Sequence, residues 1–242
     1  MEDFVLLEWD SSFFGFPVAR MLATSSNSHQ LGRTLSRLRQ NTVLAYWMID
    51  SGDLASAAAA KHHGGVLVDR KLTYVMNLQR SSSEVVSEPS IIVAEYGHKT
   101  ASSYLEDLAV QSGRYSRFNI DPRISRNRFE EMYKTWIRRS VSGEFAAKVL
   151  VVHGEGNSIS AMITLGCKNG RGDIGLVAVD SRWQGRGYAT ALMLEGLRYF
   201  VSQGYKHSQV VTQGNNVAAC ALYQKSGFVL EKSENVFHFW LQ

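Results

Sequence analysis

Apolar positions in the first third of the chain come in short runs, separated by two stretches of helical spacing. Phe4 to Trp9 reads as a strand, Asp10 to Ser12 as a turn, and Phe16 to Leu22 as a second strand. Leu31, Leu35 and Leu38 recur at the helical interval, with Arg33, Arg37 and Arg39 between them. Val43 to Ile49 is an unbroken apolar run, the pattern of a buried strand. Asp53 is placed to cap a helix from Leu54 to His62, which Gly64-Gly65 ends. Val66 to Leu78 alternates loosely, as one or two strands do. Phe13-Phe14-Gly15-Phe16-Pro17 forms an aromatic cluster on a turn, best explained by core packing or a domain contact. The adjacent His62 and His63 point in different directions from a helix and make no metal site.

Residues 81–90 break this pattern with serine, glutamate and one of only three prolines. They predict a linker between an N-terminal mixed α/β domain, residues 1–80, and a second domain, residues 91–242. Ile91 to Glu95 opens that domain as a strand. A helix with Tyr104, Leu105, Leu108 and Ala109 on one side follows, then a loop from Gly113 to Arg123. Phe129, Met132, Tyr133, Trp136 and Ile137 make the buried stripe of another helix, ending near Gly143. Ala147 to His153, Ile159 to Cys167 and Asp173 to Val179 then read as a meander of three strands. A helix from about Tyr188 to Ser202 stops at Gly204. Ser208 to Thr212 is a strand, Asn216 to Ser226 a helix ended by Gly227, and Phe228 to Leu241 supplies one or two last strands.

Composition narrows the class. A 45% hydrophobic and 20% charged chain of 242 residues has ample material for a core. No basic-then-apolar leader and no apolar run of membrane-spanning length is visible, so a cytoplasmic protein with no membrane span is expected. Cys167 and Cys220 lie far apart without ligand spacing, which argues against disulfides and metal sites. The net charge of +4 favours phosphate-bearing small molecules, and no aromatic-interleaved basic motif points to nucleic acid.

The chemistry starts where the meander ends. Val177-Ala178-Val179 runs into Gln184-Gly185-Arg186-Gly187-Tyr188-Ala189 and at once into a helix. Glycines before a helix N-terminus give free amides, room for close approach and a favourable dipole for a pyrophosphate. A dinucleotide fingerprint would need glycine at Thr190, and no Gly-Lys-Ser/Thr of a Walker loop is present. Gln-Gly-Arg-Gly-Tyr-Ala instead resembles the coenzyme A loop of the GNAT (Gcn5-related N-acetyltransferase) superfamily. Asn216 to Phe228 matches the superfamily's N-x-x-A-x-x-L-Y-x-x-x-G-F signature, and the order of elements after residue 91 is similar to the GNAT fold.

The resemblance implies a mixed central sheet flanked by helices, with two splayed central strands and acetyl-CoA as co-substrate. Main-chain groups of Leu176, Val177 and Val179 would pair with the pantetheine arm, and Asn216 would assist. Gln184, Gly185, Arg186, Gly187, Tyr188 and Ala189 would hold the pyrophosphate. Tyr223 would protonate the departing thiolate. Many members carry a glutamate on the strand before the loop, and this strand has none. Asp173 is a weak substitute and Asp180 reads as a cap. A chain of waters serves as well, so no base is assigned.

Ser116-Arg117-Phe118, the Phe129 to Gly143 pattern and Glu8 with Phe13-Phe14-Gly15 resemble the TDP-fucosamine N-acetyltransferase group. That resemblance implies a nucleotide-linked amino sugar as acceptor and an N-terminal α/β domain. Arg114, Arg117, Arg123, Arg126 and Arg128 crowd one region, and guanidinium groups suit a diphosphate. Tyr115, Arg117 and Phe118 are the substrate candidates. Another amine acceptor (a protein N-terminus, an aminoglycoside or an amino acid) or a non-catalytic acyl-CoA-binding module are the alternatives. The apolar strand Val236 to Leu241 is a candidate for pairing between two copies, which would make a homodimer.

Overall fold

The computed structural model describes residues 3–80 and 91–241; the expected linker lies outside them. The first part contains β1 (Phe4–Leu6), α1 (Glu8–Phe14), β2 (Val18–Met21), α2 (Ser28–Leu38), β3 (Leu44–Asp50), α3 (Leu54–His62) and β4 (Val66–Asn77). The second part opens with β5 (Ala94–Glu95), α4 (Ser103–Ser112), a one-turn α5 (Arg117–Ile120) and α6 (Arg126–Val141). It continues with β6 (Lys148–His153), β7 (Ile159–Lys168) and β8 (Arg171–Val179). Last come α7 (Tyr188–Ser202), β9 (His207–Gln213), α8 (Val217–Lys225) and β10 (Val229–Trp240).

These strands form one ten-stranded mixed sheet in the order β1-β2-β3-β10-β4-β9-β8-β7-β6-β5. The strands on either side of residues 81–90 therefore share a sheet. β4, from the first part, stands between β9 and β10 of the second, antiparallel to both. This interleaving brings residues of the N-terminal part to the middle of the sheet.

Most elements follow from local physics. Asn27 and Asp53 cap α2 and α3, accepting from the N–H groups of Gln30 and Ser56. Leu31, Leu35 and Leu38 are all buried from one face of α2. Three expectations change. Asp10 to Ser12 is not a turn but the middle of α1, whose first turn carries Glu8 and Asp10 and which Gly15 ends at φ +76°. Acidic residues near a helix start and glycine just past its end favour that outcome. The loop after Gly113 contains α5. β10 is a single twelve-residue strand flanked on both sides: residues 234–240 pair with β3, and the stretch from Val229 to His238 pairs with β4. It therefore offers no free edge to a second copy.

The aromatic cluster is core. Phe14 and Phe16 stack 5.5 Å apart, Phe14 meets Phe118 at 6.2 Å, and Phe16 meets Trp240 at 5.8 Å. The segment around α5 is tied to β10 by Asp121, whose Oδ2 accepts from His238 Nδ1 at 2.6 Å and Trp240 Nε1 at 2.9 Å. Burial alone would raise the Asp121 pKa. Hydrogen bonds from His238, the Arg123 N–H and Trp240 outweigh it and hold the carboxyl below its usual range. His238 is completely buried, and burial lowers it to about 4, so it is neutral at physiological pH. This small network fixes the position of Arg117 and Phe118 relative to the sheet.

Candidate active site

The site begins where two parallel strands stop pairing. β8 and β9 are joined only at Gly172–Ser208, Asp173–Gln209 and Ile174–Val210, and beyond these they diverge. The divergence starts at an irregularity in the β7–β8 register, between the Ile163–Val177 and Leu165–Ile174 pairs. There the Leu176 N–H donates to Thr164 Oγ1 at 2.8 Å. A Cβ on Gly175 would lie 2.7 Å from that oxygen, so only glycine lets the two strands meet this way.

Alternation sets which main-chain groups face the opening. Asp180 donates its N–H to Ser160 O at 2.8 Å, so Ala178 and Asp180 turn toward β7. Val177 and Val179 then turn their main-chain groups into the cleft. The Val179 carbonyl accepts from Gln111 Nε2 at 2.6 Å and from Gln184 Nε2 at 3.2 Å. The Leu176 amide, engaged by Thr164, points the other way. Of Leu176, Val177 and Val179, the last two are the ones whose main-chain groups face the cleft.

Gly185 and Gly187 have φ of +77° and +85°, and Gly187 is the N-cap of α7. A left-handed turn at each lifts the loop so that the first amides of α7 point outward. The Ala191 N–H is the first to bond back, to Gly187 O. The preceding N–H groups have no intrahelical partner, and no acidic residue occupies the first turn. The N-terminus is thus an open anion site. Arg186 lies outside the cavity, its guanidinium over the Trp183 ring at 4.6 Å. Asn216 caps α8 by accepting from the Ala219 N–H, which leaves its amide NH2 for a ligand.

A cavity of about 1000 Å³ runs continuously from this loop through the strand opening. Its wall includes Leu176, Val177, Val179, Gln184, Gly185, Gly187, Tyr188, Ala189, Asn216 and Tyr223 at one end, and Tyr115, Arg117 and Phe118 at the other. Arg114 also lines it. Arg123, Arg126 and Arg128 do not: Arg123 covers Trp240, Arg126 pairs with Glu130, and Arg128 donates to Phe13 O.

Tyr223 is buried at 4% exposure, packed against Tyr74 and Phe228. Burial raises its pKa well above the usual phenol value, so the hydroxyl keeps its proton at neutral pH. Arg117 stacks its guanidinium 3.9 Å over Tyr46 and 4.5 Å over Phe118. Its Nη1 is buried with no hydrogen-bond partner among the described residues, and the neighbouring Ser116 hydroxyl bears on the Tyr133 phenol.

Sequence reasoning missed four contributors: Tyr46, which supports Arg117, and Asp69, Lys71 and Gln111, which line the cavity. The available signal for two of them was the charged Asp69-Arg70-Lys71 interrupting an apolar strand. Burial raises Asp69 to about 7, opposed by the positive charges of Arg117 and Lys71. Asp173 sits at the closed end of the strand opening, where Gln209 donates to it at 2.7 Å, and does not line the cavity. Asp180 caps the turn before the loop, accepting from Arg182 N and pairing with its guanidinium.

Residues 103–228 match the model of the acetyltransferase (GNAT) family, and this chain belongs to that family. It is 28% identical over 134 residues to the spore coat polysaccharide biosynthesis protein SpsD of Bacillus subtilis, covering 55% of this chain and 46% of that one. It is 40% identical over 63 residues to a mycothiol acetyltransferase of Amycolatopsis mediterranei, covering 26% and 21%. The chain thus spans less than half the length of these curated relatives. A GCN5-related N-acetyltransferase structure from Sphaerobacter thermophilus superimposes with a TM-score of 0.60 at 14% identity, over 99% of this chain and 76% of that one. That likeness carries the fold. Family members use acetyl-CoA as co-substrate, and the loop amides, the glycines at Gly185 and Gly187 and the strand opening fit it.

Proposed function

We propose that the protein transfers the acetyl group of acetyl-CoA to the amine of a nucleotide-linked amino sugar, by direct attack while both are bound. The observation that carries this reading is the single cavity joining the coenzyme loop to a polar end built by Arg117, Ser116 and Asp69. The Arg117 guanidinium, stacked on Tyr46 and Phe118 in the cavity wall, suits a phosphate oxygen of the acceptor, and Arg114 adds a second charge. Tyr115, Phe118 and Trp136 supply flat surfaces for a base or sugar ring. The similarity to a polysaccharide biosynthesis protein supports a sugar acceptor.

In this reading the α7 amides hold the pyrophosphate and so fix where the thioester lies. Val177 and Val179 align the pantetheine arm between the strands. Tyr223 gives its proton to the sulfur as the C–S bond breaks. The test is release of coenzyme A thiol with a panel of amines: TDP- and UDP-linked amino sugars, free amino sugars, aminoglycosides, amino acids and peptides. Turnover is expected with at least one nucleotide-linked amino sugar, and with it in preference to the free sugar. Turnover only with peptides or free amino acids would refute the sugar reading and leave the acetyltransferase.

A further inference from the structure

We propose that Asp69, contributed by the N-terminal part of the chain, receives the acceptor amine and takes its proton. This rests on the acetyltransferase reading of the cavity, but not on the acceptor being a sugar. The strand before the coenzyme loop has no carboxylate facing the cavity, because Asp173 and Asp180 are both engaged elsewhere. Asp69 does line it. It is brought there by the insertion of β4 between β9 and β10, where it stands opposite Val236.

Among the described residues, its carboxylate is left without a direct ion-pair partner. Lys71 is turned to Glu234, with Nζ 3.1 Å from Oε2. Arg117 is held between Tyr46 and Phe118. Neither forms an ion pair with Asp69 among the described residues, although both act on its charge. The remaining groups around it are few. On β10, Glu234 and His238 lie two residues either side of Val236, the first paired with Lys71 and Lys232 and the second neutral. Tyr133 on α6 is a buried phenol raised to about 12. β9 ends at Gln213, opposite Lys71, and the buried face of α3 presents only Ser56, Ala59 and Ala60. A partly buried carboxylate in this setting, titrating near neutrality, is well matched to an amine's proton.

The step balances. An acceptor entering as R–NH3+ gives one proton to the Asp69 carboxylate. The freed lone pair forms the N–C bond to the thioester carbonyl carbon, and the C–S bond breaks with its electron pair going to sulfur. Tyr223 protonates that sulfur. The second N–H proton, lost as the amide forms, restores the phenol, and Asp69 releases its proton to solvent.

The test compares wild type, Asp69→Asn and Asp69→Glu on whichever amine the wild type acetylates. Asp69→Asn is expected to lower kcat at pH 7 by about 10²- to 10³-fold, with the acetyl-CoA Kd unchanged. Its activity should recover as pH rises and solution deprotonates the amine, and Asp69→Glu should regain part of the loss. In wild type, the ascending limb of kcat against pH should stay near 7 for two acceptors of different basicity. Asp69→Asn activity within about threefold of wild type would overturn the proposal, as would a raised acceptor KM with kcat and its pH limb intact. Should Asp69→Asn fail to fold, the wild-type limb decides: one that moves with the amine's own pKa removes Asp69 as the base. If only an amine other than a nucleotide-linked sugar is turned over, the sugar reading falls and this test proceeds on that amine.

Discussion

Tyr223→Phe is expected to lower kcat by about 10²- to 10⁴-fold while acetyl-CoA binds as before, the range for losing one general acid. The substitution removes one oxygen from a side chain packed between Tyr74 and Phe228, so the ring and the fold around it persist. What is lost is the only group this reading gives the sulfur as its charge develops. Because burial keeps the phenol protonated through the neutral range, the loss should be similar across neutral pH. Measuring kcat and, separately, the Kd for acetyl-CoA by calorimetry separates the acid role from packing. Unchanged kcat would assign Tyr223 to packing alone.

Gly187→Val is expected to act on the other end of the coenzyme. At φ +85° a β-branched residue is strongly disfavoured, although the added Cβ itself would only reach ordinary contact with Ile91, 3.4 Å away. The variant loop relaxes toward a negative φ and turns the α7 amides away from the pyrophosphate. Restoring them on binding costs roughly 2 kcal/mol or more, the sum of local strain and misaligned charge-assisted hydrogen bonds. The acetyl-CoA Kd should therefore rise by about 30-fold or more. At saturating coenzyme kcat should change little, since Tyr223 and the acceptor end are untouched. An unaltered Kd would mean the loop does not hold the pyrophosphate.

The two variants sit on parts of the molecule that the sequence describes unusually well. Gln184 to Ala189 and Asn216 to Phe228 are contiguous, so glycine chemistry, capping and helical spacing could be read locally. The helix limits Tyr188–Ser202 and Leu54–His62 follow from the same local signals. The polar end of the cavity, proposed here for the acceptor, was legible only in the Ser116-Arg117-Phe118 stretch. Its other members depend on contacts across long separations: Tyr46 under Arg117, and Asp69 brought to the cavity by strand order. Nothing in Val66 to Leu78 indicates that this strand would lie between β9 and β10. Two charges inside a loosely alternating strand look the same at a solvated edge as beside a ligand. β10 shows the same limit. Its apolar pattern suits an unpaired strand seeking a partner, but both its edges are already taken by β3 and β4.

The loop and Tyr223 at one end, and Arg117 and Asp69 at the other, open into one space. The central claim is that both substrates occupy that space together and that acetyl passes directly between them. Initial rates with acetyl-CoA and the acceptor varied against each other test this. Double-reciprocal lines that intersect to the left of the ordinate are the predicted result, as a ternary complex requires. Parallel lines, with acetyl label retained on the protein after the coenzyme is removed, would show a covalent acetyl-enzyme and contradict it.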